Sequence, residues 1–184
     1  THIRNVDAIV HVVRCFDDDN IIHVNNKVDP VGDAEIINTE LLLRDLQSVE
    51  ARLNKAKKAS KGGDKSEKQA TISCEKLMDA MGRGIMVRNI ELDDADREVV
   101  QSLALLTAKP ALYAANVAES QLAAGLSDPK VAKLVEVATR EGTEVVVISA
   151  AIEAEIAGLS EEERREFLEG IGAKESGLAR LIHR

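Results

Sequence analysis

The sequence predicts an α/β fold: a parallel sheet interrupted by an inserted antiparallel helical hairpin. Three observations carry that expectation. Apolar runs at Asp7–Val13, Ala111–Ala115 and Glu144–Ile148 have the length of strands, and the last two flank a capped helix with short connections. Between the first and second runs, Leu and small apolar residues recur at alternating spacings of four and three, which is a heptad seam. Aromatic residues are only 2% of the chain, with no Trp and one Tyr, so the core must be built from Leu, Ile, Val and Ala. That suits helices on a parallel sheet better than a β-sandwich or an aromatic platform for single-stranded nucleic acid.

In chain order, Asp7–Val13 reads as the first strand. Asp17-Asp18-Asp19-Asn20 is an acidic turn, Ile21–Val24 a weaker apolar run, and Asp29-Pro30-Val31-Gly32-Asp33 loop punctuation. From Asn38 the period becomes helical. Leu42, Leu46, Val49, Leu53 and Ala56 form one seam, Lys61-Gly62-Gly63-Asp64 breaks it, and Ala70, Cys74, Leu77 and Met81 form a second that ends at Gly82 and Gly84. Each helix alone leaves an apolar stripe in water, so the two are expected to pack as a hairpin. Glu91–Leu106 reads as a further helix with Val99, Leu103 and Leu106 on one face, stopped by Lys109-Pro110. Ser127-Asp128-Pro129 is a cap followed by Pro in the first turn, and Val131, Leu134, Val135 and Ala138 supply the apolar face of the helix it opens. Gly142 ends that helix and Glu144–Ile148 follows, so strand, helix and strand form a right-handed parallel crossover. Ser160-Glu161-Glu162-Glu163 is a capping box for a helix reaching Gly170, and a short amphipathic stretch spans Leu178–Ile182. The expected division is 1–37 as the first part of the sheet domain, 38–106 as the helical insertion, and 107–184 as the second part.

Composition narrows the function classes. Net charge is −8, so nucleic-acid contact must come from a local basic patch. Cys15 and Cys74 are the only cysteines, too few and too far apart for a disulfide framework or a zinc site, and they read as buried reduced thiols of a cytoplasmic protein. His2, His11, His23 and His183 are scattered without matching ligand spacing, so no metal site is expected. No apolar stretch approaches the ~20 residues that span a bilayer, and no membrane or signal segment is read. The first residue is Thr1 rather than Met, which reads as a fragment or a removed or disordered N-terminal part.

The motifs lie at strand ends. Ala111–Ala115 runs into Asn116-Val117-Ala118-Glu119, and 33 residues after Asn116 the next strand ends in Ser149-Ala150-Ala151. Buried parallel strands deliver side chains to the carboxyl edge of a sheet, where α/β proteins bind ligands. An Asn-x-x-acid at one strand end and Ser-Ala at the next looks like the base-recognition half of a Ras-like nucleotide domain. The acid is Glu where a GTPase carries Asp. An Asp carboxylate accepts from guanine N1–H and its 2-amino group, whereas adenine offers neither. One added methylene displaces the carboxylate from that bidentate position, and an unpaired buried polar group costs on the order of 1–3 kcal/mol. Preference for ATP, or a relaxed choice between ATP and GTP, is expected. Asn26-Lys27-Val28-Asp29 matches the GTPase consensus letter for letter but follows only a short, polar-interrupted run, and no strand ending in Ser-Ala succeeds it. It is read as a decoy, because a motif counts only in its structural context.

The chain contains no Gly-x-x-x-x-Gly-Lys-Ser/Thr to cradle phosphates, and its two Asp-x-x-Gly spacings, Asp29–Gly32 in loop punctuation and Asp79–Gly82 at the end of the second seam, are not read as a magnesium-positioning turn, so no catalytic residue is assigned and no hydrolysis is expected of it alone. Around the hairpin turn, Lys55, Lys57, Lys58, Lys61, Lys65 and Lys68 cluster in an otherwise acidic chain. They read either as a solvated tip or as a contact for the phosphates of structured RNA or a ribosome, shape-directed and salt-sensitive; no DNA sequence specificity is expected.

Together His2–Phe16, Lys27-Val28-Asp29-Pro30, Asn38-Thr39-Glu40-Leu41, Asn116–Glu119 and Ser149–Ile156 resemble the YchF/Obg-like ATPases, and the resemblance runs along nearly the whole chain. It implies the C-terminal half of a Ras-like P-loop NTPase domain with a coiled-coil insertion, beginning after the phosphate and switch segments and ending where a TGS domain would begin. It implies that Asn116, Val117 and Glu119 contact the base and that Ser149, Ala150 and Ala151 form the second base loop. It further implies that the intact protein binds and slowly hydrolyses ATP, or GTP, with Mg2+ and associates with ribosomes. No nucleotide is expected to bind tightly to this segment. The alternative function is a non-catalytic helical module that binds RNA or the ribosome without nucleotide.

Overall fold

A computed structural model describes residues 6–18, 28–173 and 175–183. These residues fall into two compact units, one within 1–9 and 35–110, the other within 10–34 and 111–184.

The first unit is helical. Helix α1 (Pro30–Ser60) and helix α2 (Lys65–Gly82) are joined by a four-residue turn in which Gly63 takes φ +89°. Asp64 then caps α2, its carboxylate accepting from the Ser66 and Glu67 amides. Both heptad seams are inside. Leu42, Val49, Leu53 and Ala56 of α1 share one core with Ala70, Cys74, Leu77 and Met81 of α2, and Leu46 packs at its margin. Two ion pairs cross near the turn, Arg52 to Glu67 at 2.7 Å and Lys57 to Glu75 at 2.8 Å. Helix α3 (Asp94–Leu103) adds Val99 and Val100 to the same core and is opened by a capping box between Asp93 and Asp96. It is shorter than the periodicity over Glu91–Leu106 suggests. Ala104 turns left-handed at φ +47° and ends it, and the Leu106 and Thr107 amides then go to the buried Asp45 carboxylate instead of to helix carbonyls.

The start of α1 also differs from the sequence expectation. The segment read as loop, Asp29–Asp33, is the first turn of the helix. The Asp29 carboxylate accepts from the Gly32 amide at 3.2 Å and Pro30 occupies the first helical position, where its missing N–H costs nothing. Ile21–Val24 lies outside the described residues.

The second unit holds the sheet, in the order β1 (Ile9–Arg14), β2 (Ala111–Asn116), β3 (Glu144–Ile148). β2 and β3 are parallel, with Leu112 opposite Glu144 and Asn116 opposite Ile148. β1 runs the same way, since Ile9 N–H donates to Pro110 C=O and, six residues on in both segments, Cys15 N–H to Asn116 C=O. Helix α4 (Pro129–Arg140), capped by Asp128 as its sequence predicts, lays Val131, Leu134 and Ala138 on Val13, Tyr113, Ala115 and Val147. One face of β1 stays exposed through Val10 and Val12. Helix α5 (Ala150–Ile156) follows β3 directly, so Ala150 and Ala151, expected in a loop, begin a helix; α6 (Glu161–Gly170) carries the expected Ser160–Glu163 capping box, and α7 (Gly177–Ile182) follows.

Candidate functional site at two strand ends

The parallel register brings the two polar motifs side by side. Asn116 is the last residue of β2 and pairs with Ile148, the last residue of β3. Each strand therefore releases its loop at the same edge. The loops are joined twice. Val117 N–H donates to Ile148 C=O at 2.9 Å, and the Asn116 side-chain oxygen accepts the Ala150 N–H, also at 2.9 Å. Val117 is buried, while Asn116 is half-buried and carries its side chain across to the second loop.

Glu119 opens a short 3₁₀ turn, Glu119–Gln121, and is exposed. Its loop is anchored by a residue the sequence reading did not single out: Gln121 Oε1 accepts the Ala118 N–H at 3.0 Å, and Gln121 Nε2 donates to Cys15 C=O at 3.2 Å and to Asp128 Oδ2 at 2.9 Å. The other oxygen of Asp128 caps α4 through the Lys130 and Val131 amides. Burial pushes the Asp128 carboxyl up, but the Gln121 amide and the two backbone donors outweigh it and hold the group below the usual carboxylate range. Lys130 also pairs with Asp17 beyond the end of β1.

Ser149 occupies the cap position of α5 with only 2% of its surface exposed, and its hydroxyl makes no cap bond and no hydrogen bond to the described residues. Ala150 and Ala151 are the first two residues of α5, and both are exposed. The six site residues read from the sequence thus lie at or just beyond the neighbouring ends of β2 and β3.

Of the competing motif only Val28 and Asp29 are described. Asn26 and Lys27 lie outside the described residues, and Asp29 caps α1. All six lysines are exposed at the hairpin turn, as expected, although Lys57 is paired with Glu75 and Asp64 and Glu67 sit among them. Cys15 and Cys74 are free and buried. Burial first, then the nearby Asp128 charge, pushes the Cys15 thiol up to about 12, which keeps it protonated and unreactive. Among the described residues no group of three or more His, Cys, Asp or Glu is arranged to hold a metal ion, and no helix is long and apolar enough to cross a membrane.

Known proteins match this arrangement along almost the whole chain. It is 46% identical over 182 residues to a ribosome-binding ATPase YchF of Bacillus subtilis, covering 99% of this chain and 50% of that protein. The corresponding protein of Escherichia coli O157:H7 is 43% identical over 182 residues, with 99% and 49% covered. The solved structure of the Schizosaccharomyces pombe YchF GTPase superposes with a TM-score of 0.85 at 32% identity, over 98% of this chain and 50% of that one. No family model matches. The chain spans about half the length of the curated relatives it matches, and the resemblance read from its motifs holds along that half.

Proposed function

We propose, with similarity to YchF proteins over 99% of the chain as premise, that it supplies the base-reading half of the nucleotide domain of a ribosome-binding, ATP-hydrolysing protein. Asn116, Val117 and Glu119 form one wall of the base site, and Ser149, Ala150 and Ala151 the other. The observation that carries this reading is the Asn116 Oδ1 to Ala150 N–H hydrogen bond at 2.9 Å. It locks two loops from adjacent parallel strands into one surface at the carboxyl edge, the place where α/β sheets take ligands.

In this reading Glu119 sets base choice. Its carboxylate, one methylene beyond the Asp position, loses the bidentate grip on guanine, and adenine is accepted. The relatives carry both ATPase and GTPase in their names, in keeping with a preference set by a single acid. Bound nucleotide would bring Mg2+ with its phosphates. The described residues hold no cluster suited to that ion and the sequence no phosphate-cradling loop, so no step of hydrolysis is assigned to this chain. The helical hairpin of α1 and α2 serves as an arm whose lysine tip meets RNA phosphates of a cytoplasmic ribosome.

Titration of the isotopically labelled chain with ATP and with GTP tests the base site. ATP is expected to bind weakly and to shift the amides of Val117–Glu119 and Ala150–Ala151. Calorimetry in which GTP binds tenfold tighter than ATP would overturn the base assignment.

A further inference from the structure

Gln121 uses every hydrogen-bonding group of its amide, which has one acceptor oxygen and two N–H donors. Oε1 takes the Ala118 N–H, and Nε2 gives one hydrogen to the carbonyl of Cys15 and the other to the carboxylate of Asp128. Turned end for end, the amide would set its oxygen against a carbonyl and a carboxylate and its NH2 against an N–H. The partners therefore fix its orientation. They also come from three separate segments: the residue after β1, the loop after β2, and the cap of α4. Two of the three cannot travel with the loop, because Cys15 is hydrogen-bonded to Asn116 and Asp128 is tied to the first turn of α4. The peptide they hold, Ala118, joins Val117 to Glu119.

We propose that Gln121 is a positioning residue for base recognition, clamping the Ala118 peptide so that Val117 and Glu119 meet the base in one fixed geometry. The inference rests on the base-site reading above. Gln121 is not in contact with the base; it acts through the loop. Without the clamp the loop must be ordered by each nucleotide that arrives, and the ordering cost is subtracted from binding.

The test compares the chain with its Gln121→Ala and Gln121→Glu variants, reading relative ATP affinity from the initial slope of the Val117 and Ala150 amide shifts. Gln121→Ala is expected to weaken ATP binding about tenfold and to speed hydrogen exchange at Ala118. Gln121→Glu puts a second carboxylate against Asp128, where among the described residues Asp33 adds to the negative charge and Lys130, itself paired with Asp17, opposes it, so it is expected to lose as much at pH 7. Like charge raises the pKa of the introduced group. Lowering the pH to 5 then restores a donor to it and recovers most of the loss, while Gln121→Ala gains nothing. Wild-type ATP response in both variants, or a Gln121→Glu loss that does not change with pH, overturns the inference and leaves the base site standing. A wild-type chain whose two loops do not respond to ATP overturns both.

Discussion

Asp45 ties α1 to the segment that follows α3. It is a fully buried carboxylate on α1, and it accepts three hydrogen bonds: from Leu106 N–H at 3.0 Å, Thr107 N–H at 2.7 Å and the Thr107 hydroxyl at 2.8 Å. Leu105, Leu106 and Thr107 are themselves buried, so water does not readily replace the carboxylate. Asp45→Ala orphans two amides and a hydroxyl. At about 1–3 kcal/mol for each buried group left unsatisfied, less what relaxation recovers, the loss is about 3–5 kcal/mol. For a chain of this size that corresponds to a fall in Tm of roughly 8–15 °C. Asp45→Asn keeps the shape and one acceptor but turns an NH2 toward a donor, at a cost of about 2–3 kcal/mol, whereas Thr107→Val removes only the hydroxyl contact and costs about 1 kcal/mol. Urea titration followed by circular dichroism, with hydrogen exchange at α1 as a second probe, gives the order. An Asp45→Ala cost below 1 kcal/mol, or Thr107→Val exceeding Asp45→Asn, would refute the reasoning that these three bonds hold the middle of α1 to the segment after α3.

Other expectations follow from single contacts. A Cβ on Gly177 would lie 2.9–3.0 Å from the side chain and backbone of Ile148, so Gly177→Ala should cost about 1–3 kcal/mol in thermal unfolding and loosen α7 by hydrogen exchange. Leu77→Ala empties a fully buried position between the two hairpin seams and should cost about 2–5 kcal/mol. His11, packed against Tyr113 at 5.3 Å between ring centroids, has its pKa lowered by burial, with Asp33 opposing. The folded state thus favours the neutral ring: the stability it contributes is present above the ordinary His pKa near 6.5 and is lost as pH falls below it. His11→Gln should flatten that part of the stability profile between pH 7 and 5. On the proposal that the hairpin tip meets ribosomal RNA, replacing Lys55, Lys58, Lys61, Lys65 and Lys68 by Gln should weaken ribosome binding of the protein that contains this chain and reduce its salt dependence; unchanged binding would remove the lysine tip from the interface.

The seams were legible because burial on a helix follows sequence period alone: nearly every residue chosen at spacings of three and four is inside. The pairing of Asn116 with the Ser149 loop was legible for a similar reason, since two strand ends joined by a capped helix must emerge together. What escaped was local chemistry whose partner is distant. Asp29-Pro30 reads as a turn or as a helix start, and only the helix that follows decides between them. Ala150–Ile156 has no cap bond at Ser149 to announce it. Gln121 and Asp45 look like ordinary polar residues in the sequence, because Cys15, the partner that ties Gln121 to β1, lies 106 residues away and the partners of Asp45 lie 61 or 62 away. The Ala104 break in α3 has no glycine to mark it.

Glu119 is where the account is most exposed to contradiction. Glu119→Asp shortens the side chain by the one methylene that separates it from a guanine-reading acid, without touching the Gln121 clamp or the Asn116 bond. Parallel ATP and GTP titrations of the two chains give the ratio of affinities directly. The account predicts that the substitution moves that ratio toward GTP by about tenfold or more, equivalent to about 1.4 kcal/mol. A ratio that stays where the wild-type chain sets it would mean that Glu119 does not read the base.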